Sequence, residues 1–126
     1  MRVLLQDENE AMRAVIRPML AGHGMSLIEA VSPWEAAALA ARHQPDIVLL
    51  SAADVYYSGR EVPGLLASRA RQIPTLLLGA TEPRSTQAQR FPVDGYLPYP
   101  FDAERLLAAI CSVVGSDAPE CQLVEV

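Results

Sequence analysis

The stretch PDIVLLSAAD, residues 45–54, decides how the rest of the chain is read. Its IVLL is apolar without interruption, and TLLL at residues 75–78 repeats the pattern. A short unbroken apolar run marks a strand covered on both faces, the situation of an inner strand in a parallel sheet. These two strands are predicted over residues 46–51 and 75–79, and further runs of strand length lie at 2–6, 26–30 and 94–97. Segments of helical period separate them, at 10–21, 33–43, 60–71 and 102–114. In the first, Met12, Val15, Ile16, Met19 and Leu20 fall on one stripe, as do Leu106, Leu107 and Ile110 in the last. Ser32 before Pro33, with Glu35 three residues on, is a capping box, and Asp102 has the capping position for the last helix. Residues 81–92 contain Pro83 and Pro92 and little apolar material, so a short or irregular fourth helical segment is expected there.

Five βα units with short connections predict an α/β fold: (βα)5, a doubly wound parallel five-stranded sheet of flavodoxin-like shape. Residues 1–115 form its one domain, and residues 116–126 are expected to be a C-terminal tail or linker. In such a sandwich, ligands bind beyond the carboxyl ends of the strands. The chemistry is therefore sought at Asp7 and Glu8 and at positions 51–54, 79–81 and 98–101.

Composition narrows the function. The chain has 126 residues, 51% of them apolar, which is enough for one core. The net charge is −5, and ten basic residues are scattered from Arg2 to Arg105 without forming a stripe, so direct nucleic-acid binding is not expected. All ten are arginine, which removes any mechanism that needs a lysine ammonium. No apolar run reaches the roughly 18 residues of a membrane span, and the apolar start at Val3 meets acids by Asp7. No membrane contact and a cytoplasmic location are the expectation. Cys111 and Cys121 stand ten apart without a nearby histidine, a spacing that fits neither a zinc site nor a multi-bridge framework. Both are expected reduced, Cys111 at the edge of an apolar helix face and Cys121 exposed.

With the elements in place, VLLQDENEAMR (3–13), QPDIVLLS (44–51), IPTLLLGA (73–80) and VDGYLPYPF (93–101) resemble the receiver domain of two-component response regulators. The resemblance covers nearly the whole of residues 2–115. It implies signal transduction rather than enzymatic turnover, with a phospho-acceptor aspartate at the end of the third strand and a divalent ion bridging carboxylates.

The chain departs from that pattern where the chemistry lies. The acceptor position is Ser51, whose hydroxyl is not ionised near neutrality and has no histidine or other base beside it in the motif. The family's lysine position is Tyr99, a neutral phenol, and its switch hydroxyl is Gly79, which has no side chain. The acidic pair Asp7 and Glu8 remains, and alone makes at best a weak magnesium site, because magnesium holds its waters tightly. Tyr96 stands at the rotating aromatic position and is expected to stay fixed. Asp54 is the alternative acceptor, but the loop AADVYYSG would have to fold back to bring it over Asp7.

The expectation is a pseudo-receiver with no catalytic activity and no required cofactor, working through a protein partner or a fused output domain. Its partner surface would include Tyr96 and Tyr99, residues 87–90 and the last helix, the face the family forms from its fourth helix, fifth strand and fifth helix. Tyr56 and Tyr57, beside the pocket mouth, are added to that surface, and homodimerisation through it is compatible. Two alternatives are a phosphorylatable receiver with Ser51 or Asp54 as acceptor, and a flavodoxin-like binder of a small ligand. Against the second, QDENEA (6–11) offers acids where a phosphate would sit.

Overall fold

Five parallel strands pair in the order β2-β1-β3-β4-β5: β1 (Arg2–Gln6), β2 (Ser26–Ala30), β3 (Ile47–Ser51), β4 (Thr75–Leu78) and β5 (Gly95–Leu97). The computed structural model describes residues 1–58, 73–79, 93–115 and 118–122. The helices are α1 (Glu10–Ala21), α2 (Pro33–His43), α3 (Ala52–Ser58), α4 (Ala103–Val114) and α5 (Pro119–Gln122). The expected doubly wound five-stranded sheet is the observed one. The helices expected at 60–71 and 81–92 lie outside the described residues.

The two-residue period of a strand sends alternate side chains to opposite faces, and this divides the core. Leu4, Val48, Leu50 and Leu77 point to one face, where Ala36, Ala37 and Ala40 of α2 and Val55 of α3 cover them. Val3, Leu5, Ile47, Leu49, Leu76 and Leu78 point to the other, beneath Ile16 and Leu20 of α1 and Leu106, Leu107 and Ile110 of α4. All five residues of β3 are buried, as an inner strand under two helical layers requires.

The helix starts follow their capping residues. Ser32 Oγ accepts the Glu35 N–H at 3.0 Å and the Glu35 carboxylate accepts the Val31 N–H at 2.8 Å. Asp102 accepts the Arg105 N–H at 2.8 Å, and Asn9, which the sequence reading passed over, accepts the Ala11 N–H at 2.9 Å. Trp34 is half exposed at the start of α2.

Two local expectations fail. AADVYYSG is not a loop at its start: α3 begins at Ala52, directly after β3. Two alanines favour helix, and the first turn inserts Ala52 and Val55 into the α2-side core. At the other end, the expectation of two reduced cysteines with Cys121 exposed fails. Residues 119–122 form α5, and Cys121 is buried and disulfide-bonded to Cys111. The chain reverses at Gly115, which has φ +100°, and so brings the two cysteines to a Cα separation of 5.5 Å, within bonding range.

Candidate functional site

The order β2-β1-β3 places a switch point at the carboxyl ends of β1 and β3, where helices leave toward opposite faces. A cavity of about 450 Å³ opens there, lined among others by Asp7, Asn9, Ser51, Asp54 and Tyr99.

Gln6 organises the wall of this cavity. Strand parity turns it with Leu4 toward the α2 and α3 side, and it is fully buried, so its amide needs partners. Its Nε2 donates to the Val31 carbonyl at 2.9 Å and to Asp54 Oδ2 at 2.8 Å, while its Oε1 accepts the Ser51 N–H at 3.0 Å. One side chain thus joins the ends of β1, β2 and β3 to the first turn of α3. Sequence reasoning missed it; the available signal was a long amide at the last position of an otherwise apolar strand.

Asp54 is in the site, contrary to the expectation that the loop would have to fold back. Because α3 starts directly after β3, Asp54 lies on its first turn, and its Oδ2 also accepts the Glu8 N–H at 2.9 Å. Asp7 is nearly buried, at 5% exposure, and its Oδ1 accepts the Asn9 N–H at 2.8 Å. Burial raises the Asp7 carboxyl above the ordinary carboxylate range, and the charge of Asp54 adds to this, against the opposing pull of the Asn9 N–H and Arg13. Asp7 is nearly buried and Glu8 exposed, and both line the cavity.

Gly79 and Tyr99 form one unit. Gly79 has φ +85°, which disfavours any side chain, and a Cβ built on it would stand 2.5 Å from Tyr99 Cε2. The Tyr99 ring thus occupies the space that a hydroxyl-bearing residue at 79 would use. It stacks on Phe101, with centroids 5.4 Å apart and planes 18° from parallel, and is 47% exposed on its other side. Burial, and then the charges of Asp7 and Asp54, raise its phenol above the usual value, so it is neutral at pH 7.

Tyr96 is partly buried against the α2-side core. The side chains of Tyr56 and Tyr57, residues 87–90 and Thr81 lie outside the described residues.

The residues present do not compose a magnesium site. Ser51, 6% exposed, replaces the third carboxylate, Asp54 Oδ2 is already held by two N–H donors, and among the described residues no three His, Cys, Asp or Glu gather to hold a metal. Among the contacts described, no base is positioned on Ser51, and Asp54 Oδ2 accepts the Gln6 Nε2 and Glu8 N–H donors.

No protein-family model matches the chain. Response regulator MprA of Mycobacterium leprae is 33% identical over 122 residues, which is 95% of this chain and 54% of that protein. The chain spans about half the length of the curated relatives it matches. Chemotaxis response regulator CheY4 of Vibrio cholerae has a TM-score of 0.77 at 24% identity, covering 89% of this chain and 97% of its own. The receiver domain of sensor histidine kinase PA1611 of Pseudomonas aeruginosa scores 0.78 at 19% identity, covering 90% and 96%, and has a magnesium ion coordinated in its active-site cleft. These structures share the fold. Similarity to response regulators also runs along 95% of the sequence. Among the described residues, no helix is long and apolar enough to cross a membrane.

Proposed function

We propose that the chain is a pseudo-receiver: a cytoplasmic two-component signalling domain that works by binding protein without being phosphorylated. The observation that carries this reading is the Tyr99 ring seated over Gly79. Two of the three positions at which a phosphoryl group would be held are occupied by one another, and the third is Ser51. The partner, a separate protein or a fused output domain, docks on the face that carries Tyr96, Tyr99 and the exposed side of α4, with Tyr56 and Tyr57 at its margin. A second copy of the chain is the alternative occupant. Nucleic acid is not contacted directly.

The test is an amide NMR titration with magnesium and then beryllofluoride, together with mass spectrometry after exposure to acetyl phosphate. Unmoved resonances at Asp7, Ser51 and Asp54 and an unchanged mass are expected. As a positive control, Ser51→Asp supplies the missing third carboxylate, and magnesium should shift the same resonances in that variant. Phosphate incorporation in the unaltered chain would overturn the reading.

One observation favours a second reading. Asp54 shares the cavity with Asp7, so it is the carboxylate that would accept phosphate if any does. In that case incorporation is lost in Asp54→Asn and kept in Ser51→Ala.

A further inference from the structure

The described core is complete without the C-terminal segment. Both buried clusters are built from residues no later than Ile110 among their buried members, and Cys121 belongs to neither. Yet Cys121 is only 6% exposed and covalently joined to Cys111 in the last turn of α4. These are the two cysteines of the chain.

Among the described residues, few contacts besides that bond hold residues 118–122 in place. A helix of four residues, Pro119–Gln122, is far below the length at which helices persist alone. The Met1 amino group is ion-paired with Glu120. Beside the segment lies a cleft of about 470 Å³, lined among others by Met1, Asp46, Pro74, Val114, Pro119 and Glu120. A cleft of this size interrupts dense packing beside the segment. The disulfide is therefore the principal tie.

We infer that Cys111–Cys121 is a reversible thiol–disulfide switch that docks residues 118–122 on the amino edge of the sheet when oxidised and releases them when reduced. The reductant is a dithiol of the dithiothreitol or thioredoxin class. Its thiolate attacks the sulfur of Cys111, the partly exposed member, forming a mixed disulfide and expelling the Cys121 thiolate, which takes up a proton. The second thiol of the reductant then attacks the mixed disulfide and releases Cys111 as a thiol. Two electrons and two protons pass to the protein, and the reductant leaves as its own disulfide.

The test is hydrogen exchange on the 126-residue chain in oxidised and reduced dithiothreitol mixtures, with alkylation and mass spectrometry to count free thiols. The reporter is the Cys121 amide, which donates to the Ala118 carbonyl at 2.9 Å. Reduction should speed its exchange by roughly tenfold or more while Leu4 and Leu49 in the sheet keep their rates. Cys111→Ser and Cys121→Ser should each show the fast rate under both conditions. Equal rates at Cys121 in the two states would overturn the inference. So would a parallel acceleration at Leu4 and Leu49, which would make the bond a staple of the whole fold, or a bond that the dithiol cannot open in the folded protein.

Discussion

At the carboxyl end of the sheet, side chains hold one another: Gln6 grips Asp54 and Ser51, and the Tyr99 ring lies in the space over Gly79. At the amino end, among the described residues, one covalent bond and one ion pair hold a four-residue helix beside a cleft. The two ends differ in how damage spreads. Polar groups buried in a shared network depend on each other, so losing one leaves others unsatisfied. A segment held by few links outside the two core clusters is released alone. Changes at the first end should therefore lower global stability, and changes at the second should be local.

Gln6→Leu is the harshest way to press this difference. It removes a fully buried side chain and leaves the buried Ser51 N–H, and the part-buried Val31 carbonyl and one contact of the Asp54 carboxylate, without their partner. Loss of several buried hydrogen bonds at once is expected to cost about 3 kcal/mol in urea-monitored unfolding. Cys121→Ser under oxidising conditions should cost clearly less in the same measurement. A larger loss at Cys121 than at Gln6 would reverse the comparison.

Gly79→Ala comes next, with an expected cost of about 2 kcal/mol from the left-handed backbone and the collision with Tyr99. In a Tyr99→Ala background the collision vanishes and only the backbone cost remains, about 1 kcal/mol. The double-mutant cycle therefore isolates the contact between the two residues. Strictly additive effects would mean that Tyr99 does not depend on a bare position 79.

The contrast between the ends also explains what could be read from the chain alone. IVLL and TLLL identify inner strands because a strand covered on both sides has no polar face to interrupt the run. Ser32 and Asp102 mark helix starts because capping is a contact within three residues. The long-range partnerships were not legible in the same way. Gln6 meets a residue 48 positions away, and nothing local in VLLQDE distinguishes a buried amide from a solvated one. Asp54 was misplaced because Ser51-Ala-Ala-Asp54, which has the form of a capped helix start, was read as a loop, and the three-residue offset from Ser51 became proximity only through that helix. Cys121 was misplaced because a spacing of ten says nothing about direction, which the reversal at Gly115 sets.

The mildest change tests whether the acidic end works against the fold. The Asp7 carboxyl is raised above the ordinary carboxylate range, by burial first and by Asp54 further down the order of causes, so the folded chain binds that proton more tightly than the unfolded one. The stabilisation is therefore fully present below the ordinary carboxylate range and is lost as the pH rises through the raised folded value. At neutral pH, Asp7 is held ionised at a loss. Asp7→Asn keeps an oxygen that can accept the Asn9 N–H and removes the charge. Its melting temperature should exceed that of the unaltered chain by a few degrees at pH 7, and the difference should shrink as the solution is acidified. In an Asp54→Asn background the gain should be smaller, because one source of repulsion is already gone. A lower melting temperature for Asp7→Asn at pH 7 would mean that attraction to Arg13 outweighs burial and Asp54, so that the Asp7 charge works for the fold.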